Sequence, residues 1–219
     1  MAPDPSHPEP PAHEAAARRD WVAYFDRMEG KPARETTKAA ITAFERDSGS
    51  DASPRFAIDL GCGAGRDTEL LLEAGWRVLA TDAHPDGLRR LRLRPACVRA
   101  EAQGTLSVRE ESFEEANLPA VDLVNASFAL PFCPPAEFPS LWAKIDASIS
   151  SGGRFAGQFF GDRDDWSILE DRTHLPRAQV LALFGGYVLE SFIEEDRPSR
   201  FTGEHHKHWH VFHIVARKR

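Results

Sequence analysis

Long apolar runs are missing from this sequence of 219 residues. No stretch approaches the roughly 20 consecutive apolar residues of a membrane-spanning helix, and the N-terminus lacks the apolar segment typical of a signal peptide. Cysteine is also scarce. The three cysteines, Cys62, Cys97 and Cys133, lack the spacing of metal ligands. Their odd number argues against a disulfide framework. Reduced thiols favour a cytoplasmic protein, and we expect no membrane partner.

Positive charge is in deficit, because 27 Lys and Arg residues face 34 Asp and Glu residues and the formal net charge is −7. Nucleic-acid binding relies on clustered basic side chains that neutralise phosphates. The basic clusters at residues 89–94 and 217–219 are interpreted as a solvated helix face and a charged tail. We therefore expect no nucleic-acid partner.

Hydrophobic residues make up 42% of the chain, enough for one core in a domain of this length. The proline-rich N-terminus has little to bury, so residues 1–13 are predicted to be a disordered tail. A single domain is predicted to span residues 14–219.

Short apolar segments alternate with amphipathic helical segments along this domain. Strands are predicted at residues 56–60, 78–81, 105–108, 121–126, 154–160, 187–193 and 209–216. Helices are predicted at residues 14–28, 34–45, 68–74, 86–93, about 135–149, and 179–184. The alternation is typical of an α/β fold with a doubly wound parallel sheet. No helix separates the last two strands, so the last strand is predicted to be antiparallel.

A glycine-rich loop follows the first strand and is the sharpest local signal. Gly61, Gly63 and Gly65 alternate in it, and Arg66 follows. Glycine permits a tight turn and lets a ligand lie against the backbone at the carboxyl edge of the sheet. A dinucleotide site has the spacing G-x-G-x-x-G and faces a pyrophosphate. The shorter spacing here favours a nucleoside joined to an amino acid.

Two acids accompany this loop. Asp59 lies in the preceding strand, where its burial would be costly unless a donor such as an α-ammonium group met the carboxylate. Asp82 ends the second strand at the same edge, where it can accept hydrogen bonds from both ribose hydroxyls. Alone, Asp82 could be a helix cap. The loop and Asp82 together, in this order and on adjacent strands, favour a cofactor site.

In these residues the chain resembles the class I S-adenosylmethionine-dependent methyltransferases. Residues 58–65 are similar to the first motif of that family, and the resemblance extends from about Trp21 to the end. It implies a Rossmann-like, seven-stranded sheet with the last strand antiparallel. It also implies S-adenosylmethionine as cofactor and methyl transfer to a heteroatom (S, Se/Te, N or O) of a small molecule. The predicted cofactor-binding residues are Asp59, Gly61, Gly63, Gly65, Arg66, Asp82, Ala83, Ser112, Phe113 and Ser127.

The resemblance assigns parts of the cofactor to these residues. The three glycines would line the methionine moiety, and Asp82 would hold the ribose. Ser112 would contact the adenine amino group, although the usual acid is absent there. Phe113 would cover the ring edge or serve in the core. Residues 125–128 lack the prolines of the Asn-Pro-Pro-aromatic motif of nucleic-acid and protein amide N-methyltransferases. The most similar branch is the small-molecule one related to tellurite-resistance and thiopurine methyltransferases.

The chemistry itself makes few demands on side chains. A sulfonium methyl group is already activated, so positioning and desolvation can carry most of the rate. A hydroxyl or ammonium acceptor needs a general base. The candidates are His206, His208 and Asp162.

The two histidines belong to a cluster at residues 205–213 that opens the last predicted strand, at the edge of the glycine loop. Strand alternation gives one face His208, His210 and Phe212 and the other Trp209, Val211 and His213. Solvated histidines at a strand end are the ordinary alternative, and without a tidy ligand spacing we expect no metal.

Other residues could border the site. Gln158 and Asp162 leave the fifth strand at the same edge, and core or loop roles are the alternative for them. Trp21 and Tyr24 could form a lid over the cofactor or an ordinary core face.

Two other functions stay open. One is a nucleotide-cofactor oxidoreductase, which Arg66 and the loop spacing disfavour. The other is a non-catalytic module that retains the fold, which the intact loop and Asp82 disfavour. The sequence indicates no particular oligomeric state.

Overall fold

The computed structural model of the protein describes residues 11–48, 54–200 and 206–219. The helices are α1 (Ala12–Ala17), α2 (Trp21–Met28), α3 (Glu35–Ser48), α4 (Arg66–Glu73), α5 (Pro85–Leu91), α6 (Pro95–Gln103), α7 (Phe138–Ser148) and α8 (Arg177–Leu183). The strands are β1 (Phe56–Leu60), β2 (Arg77–Asp82), β3 (Leu106–Glu110), β4 (Val121–Ala126), β5 (Ile149–Gly161), β6 (His174–Leu175), β7 (Tyr187–Pro198) and β8 (His208–Lys218). No helix within these described ranges is long and apolar enough to cross a bilayer.

The strands form one sheet in the order β3-β2-β1-β4-β5-β8-β7. The pairs from β3 to β5 are parallel, and β8 runs antiparallel to both β5 and β7. This confirms the predicted Rossmann-like α/β fold, including the antiparallel last strand. The two-residue strand β6 pairs with the end of β5 and was not predicted.

The direction of winding reverses between β1 and β4, which are neighbours in the sheet. Connections on the two sides of such a point diverge and leave a crevice beyond the carboxyl ends of the strands. The glycine loop follows β1 and therefore lies at this crevice.

Helices cover both faces of the sheet, because alternate strand residues point to opposite sides. Ile58 packs in one apolar layer with Trp142 of α7 and Phe184 after α8. Ala57 packs in the other layer with Phe44 of α3 and Leu71 of α4. β1 is therefore buried on both faces, as expected for a central strand of a parallel sheet.

Three predicted boundaries differ from the structure at the N-terminus and near Pro95. The predicted disordered tail overlaps α1, where Ala15 and Ala16 are buried and the His13 ring packs on Trp209 at 5.8 Å. Residues 1–10 of that tail lie outside the described residues. The first predicted helix is two helices, and Asp20 caps the second by accepting the Ala23 N–H.

A helix was predicted to end at residue 93 and none was predicted directly after it, but Pro95 occupies the first turn of α6. Proline is well suited to that position, because the N–H it lacks has no intrahelical partner there.

Candidate functional site

The glycine loop is tied to the end of β2 by its backbone. The N–H groups of Gly61 and Cys62 donate to the Thr81 carbonyl at 2.8 and 3.0 Å. Gly61 has φ +70, and a Cβ built on it would lie 2.4 Å from the Cβ of Ala129. Only glycine fits this place without a shift, so the loop lies directly against the segment that follows β4.

Asp82 organises the crevice from the neighbouring strand. Its carboxylate accepts the Gly63 N–H and the His84 N–H, each at 2.8 Å. The predicted ribose-binding acid and the glycine loop are thus in direct contact. Burial raises the pKa of Asp82, and the two N–H donors oppose that shift.

Asp59 is the centre of a buried polar network below the loop. It is 1% exposed and accepts hydrogen bonds from the Thr68 hydroxyl and, at 2.8 Å, from the Asn125 amide. The Asn125 oxygen accepts the Thr37 hydroxyl at 2.9 Å, which connects the network to α3. Burial, reinforced by the nearby Asp67 carboxylate, raises the pKa of Asp59 to about 7.

Two adjoining cavities of about 450 and 460 Å³ run along the loop. We call the first the Asp59 cavity, and its lining includes Asp59, Arg66 and Asp67. We call the second the Asp82 cavity, and its lining includes Asp82 and Phe113. The residues that line both are Tyr24, Phe25, Gly61, Gly63 and Ser127. Each volume is within the range of small-ligand sites, and together they form one elongated cleft.

The cleft gathers the predicted cofactor residues with one exception. Ala83 and Ser112 line the Asp82 cavity with the rest of that set, and Trp21 joins Tyr24 in its wall. Gly65 lines neither cavity. A Cβ on it would lie 2.6 Å from Leu91, so this glycine permits α4 to pack closely against α5.

The Asp82 cavity contains, beside Ser112, an acid that is not among the predicted cofactor residues. The Ser112 hydroxyl is within 3.1 Å of a Glu115 carboxylate oxygen and is engaged in the turn. Glu111 lines the same cavity, and its buried Oε1 has no hydrogen-bond partner in the described part of the chain. Burial raises the pKa of Glu111. The signal for it was its position directly after β3, one residue before the expected contact.

The three predicted base candidates lie away from the cleft. His206 is exposed. His208 Nε2 lies 2.7 Å from an Asp196 oxygen in the β7–β8 hairpin. Asp162 is half exposed beside Arg163. β8 begins at the expected edge, but β4 and β5 separate it from β1, and His208 points to the face opposite α3. His205 lies outside the described residues.

Within the described part of the predicted histidine cluster, the histidine that lines a cavity is His213. It lies on the predicted Trp209–Val211–His213 face of β8, and these three residues line a third cavity of about 770 Å³. His213 Nε2 is 3.1 Å from Glu195 Oε2. Tyr24, Phe128 and Phe132 line this cavity and the Asp82 cavity, so the third cavity adjoins the cleft.

One group of side chains has the spacing of a metal site within the described ranges, namely Glu194, Asp196 and His210. The Arg163 guanidinium lies 2.9 Å from Glu194 and 2.7 Å from Asp196. Both carboxylates of this group are therefore already paired with the Arg163 cation.

Comparison with known proteins gives the class of protein. Residues 58–155 match the model of a family described as a methyltransferase domain. No curated protein matches the chain in sequence.

Among solved structures, TehB from Haemophilus influenzae is 17% identical, with a TM-score of 0.68 over 91% of this chain and 67% of that one. The 1,6-didemethyltoxoflavin N1-methyltransferase from Burkholderia thailandensis, solved with 1,6-didemethyltoxoflavin and S-adenosylhomocysteine, is 22% identical, with a TM-score of 0.59 over 99% and 94% of the two chains. Magnesium protoporphyrin IX methyltransferase from Synechocystis, with bound S-adenosylhomocysteine, is 13% identical, with a TM-score of 0.66 over 95% and 100%.

Residues 58–155 are a methyltransferase domain, which confirms the predicted enzyme class. The structure has the fold of the S-adenosylmethionine-dependent methyltransferases. S-adenosylmethionine is the cofactor that the resemblance implied. The site fits this cofactor in chemistry as well as in size, because the cleft presents bare backbone at Gly61 and, at Glu111, a buried carboxyl oxygen without a hydrogen-bond partner among the described residues.

Proposed function

We propose that this methyltransferase acts on a heteroatom of a small molecule. The observation that carries the proposal is the third cavity, which is of ligand size and shares Tyr24, Phe128 and Phe132 with the cofactor cleft. Two of the similar structures are named for small-molecule acceptors, a toxoflavin precursor and a magnesium porphyrin. A net charge of −7 disfavours nucleic acid as the acceptor. Three free cysteines are consistent with a reducing, cytoplasmic setting.

We assign the cofactor across the cleft by complementary charge. In the Asp59 cavity, Asp59 receives the α-ammonium group and the Arg66 guanidinium pairs with the methionine carboxylate. In the Asp82 cavity, Asp82 accepts the ribose hydroxyls and Glu111 accepts the adenine amino group beside Phe113. Tyr24, Gly61 and Gly63 line both cavities and would hold the part of the cofactor between these two ends.

Methyl transfer is a displacement in line with the breaking bond. When bound, S-adenosylmethionine would supply an activated methyl group: the acceptor lone pair would bond to the methyl carbon as the C–S bond breaks, and the electron pair of that bond would neutralise the sulfonium. A thiolate or selenide acceptor loses no proton. For an N–H or O–H acceptor in the third cavity, we assign His213 as the group that takes the proton, through its Nδ1 while Nε2–H donates to Glu195.

The proposed function is tested by turnover. The protein is incubated with S-adenosylmethionine and a panel of small thiols, selenols, N-heterocycles and phenols, and S-adenosylhomocysteine is measured by mass spectrometry. We expect turnover with at least one acceptor. A folded sample that binds S-adenosylhomocysteine but methylates nothing in the panel would refute the small-molecule proposal.

Asp82→Ala is expected to weaken S-adenosylhomocysteine binding by about 10- to 100-fold. The substitution removes the charged acceptor for the ribose and releases the Gly63 N–H, and hydrogen bonds to charged groups contribute about 1.5–3 kcal/mol each. Isothermal titration calorimetry measures the effect.

The matched control is Asp122→Ala. Asp122 also accepts a backbone N–H, that of Phe56 at 2.9 Å, but at the opposite edge of the sheet. It should lose stability and keep its affinity for the cofactor product. Equal affinities of both variants and the wild type would contradict the assignment of Asp82.

His213→Asn is expected to lower kcat by about 10²- to 10⁴-fold for N–H or O–H acceptors and to leave thiolate methylation unchanged. Burial lowers the pKa of His213, so the imidazole stays neutral to lower pH than a free histidine and kcat should rise through that lowered pKa. His208→Asn, on the other face of β8, is the control and should keep wild-type kcat. If His208→Asn is the slower variant, the base assignment is wrong.

A further inference from the structure

The third cavity has an unusual charge for this acidic protein. Among the described residues, its permanently charged lining consists of one acid, Glu195, and the cations Arg27, Lys31, Arg34, Arg197 and Arg200. The whole chain has a formal charge of −7. A cavity lined by one sign of charge concentrates ligands of the opposite sign. We refer to it as the basic cavity.

The acid in the described lining of the basic cavity is already engaged. Glu195 lies 2.8 Å from the Arg197 guanidinium and 3.1 Å from His213. Lys31 and Arg34 form no ion pair with any residue in the described ranges. The Nε atom of Arg34 is buried and has no hydrogen-bond partner there. An anionic ligand would supply the missing partner, and without one the burial of this polar group has a cost.

The remaining wall of the basic cavity is aromatic. Phe128, Phe160, Trp166 and Trp209 line it, and the Arg34 guanidinium lies 4.4 Å from the Phe128 ring centre. Such walls bury flat apolar bodies and exclude water from the charged group beside them. An aliphatic or inorganic anion would satisfy Arg34 and leave these rings in contact with water.

The backbone fixes this wall at the junction with the cofactor cleft. Phe128 has φ +53, which is costly for a residue with a side chain. Its N–H donates to Gln158 Oε1 at 2.9 Å, and the Gln158 amide donates to Thr36 at the start of α3. Phe128 lines both the Asp82 cavity and the basic cavity. The aromatic surface is thus held where an acceptor has to meet the methyl group.

We propose that the acceptor of this enzyme is an aromatic or heteroaromatic anion, stacked on Phe128 with its acidic group against Arg34 and Lys31. This inference rests on the proposed small-molecule function and names its substrate class. It does not depend on which heteroatom receives the methyl group.

Binding to the enzyme loaded with S-adenosylhomocysteine tests the inference without turnover. The probes are 2-naphthoate, its neutral analogue 2-naphthamide, hexanoate and selenite, titrated by fluorescence or calorimetry. We expect 2-naphthoate to bind at least about tenfold more tightly than each of the others, with an affinity that falls as KCl is added. Arg34→Gln should reduce the ratio of 2-naphthoate to 2-naphthamide affinity to about one.

Two controls separate the outcomes. Arg89→Gln removes an exposed arginine of α5 that pairs with Asp86, and it should keep the wild-type ratio. Arg34→Gln should keep its affinity for S-adenosylhomocysteine within about threefold, which shows that the site is intact. Equal binding of 2-naphthamide overturns the charge argument, and equal binding of hexanoate or selenite overturns the aromatic one. Tight 2-naphthoate binding without turnover in the acceptor panel would instead refute the proposed function alone.

Discussion

Gly61→Ala is expected to abolish measurable binding of S-adenosylhomocysteine and to lower the free energy of unfolding by about 3 kcal/mol. At φ +70 a Cβ costs roughly 1–2 kcal/mol. At 2.4 Å from the Ala129 Cβ it also forces the loop and the segment after β4 apart. Calorimetry measures the binding, and urea denaturation followed by circular dichroism measures the stability.

Two further variants separate the cost of the backbone conformation at Gly61 from the cost of a Cβ contact with Ala129. Gly75 has φ +81, and a Cβ at this position would have no atom within 4 Å, so Gly75→Ala should lose only about 1–2 kcal/mol and bind normally. The double variant Gly61→Ala/Ala129→Gly removes the collision and should recover part of the stability. If Gly61→Ala binds the cofactor product like wild type, the loop does not contact it.

Asp59→Asn is expected to stabilise the cofactor-free protein at pH 8 and to weaken its binding of S-adenosylhomocysteine. The folded pKa of about 7 lies above the ordinary value of 3.8. Between these values the native state binds more protons than the unfolded state, so stability falls as pH rises through the window. The gain from removing the buried charge is on the order of 4 kcal/mol at pH 8 and vanishes near pH 4.

In the wild type, the affinity for S-adenosylhomocysteine should change with pH in the opposite direction to the stability of the cofactor-free protein. An α-ammonium group beside Asp59 favours the ionised carboxylate, so affinity should increase as pH rises towards 7, with release of a proton below that pH. Calorimetry in buffers of different ionisation enthalpy counts that proton. Asp59→Asn should bind weakly and with no pH dependence.

Asp122→Asn serves as the control for this experiment, because Asp122 lies at the other edge of the sheet and should leave the pH dependence intact. A wild-type affinity that is flat from pH 5.5 to 8 would show that Asp59 does not meet the ammonium group.

Local patterns were sufficient for the class of protein. The strand that ends before Gly61 is followed by the alternate glycines, a helix and the next strand, which ends at Asp82. Parallel strands bring their carboxyl ends to one edge of the sheet. Proximity of Gly63 and Asp82 therefore followed from strand order alone, and the structure joins them by a hydrogen bond.

Local sequence patterns were not sufficient to identify the individual side chains that line the site. Ser112 was expected at the adenine end, but a turn bond to Glu115 engages its hydroxyl and leaves Glu111 facing the cavity. His208 was a candidate base, and the structure pairs it with Asp196 in the hairpin, whereas His213 on the opposite face borders the basic cavity. Neighbouring residues in a strand or turn belong to the same local sequence pattern. They differ in the tertiary contacts that each side chain makes.

By itself the sequence determined the order of strands, the glycine loop and the acid beside it, because these depend on the period of the backbone and on the shape of glycine. Only the tertiary structure decided which acid and which histidine of the predicted segments border a cavity. It alone created the basic cavity, whose lining comes from segments as distant as Arg34, Phe128 and Trp209. Such long-range neighbours follow from packing, which no local pattern encodes.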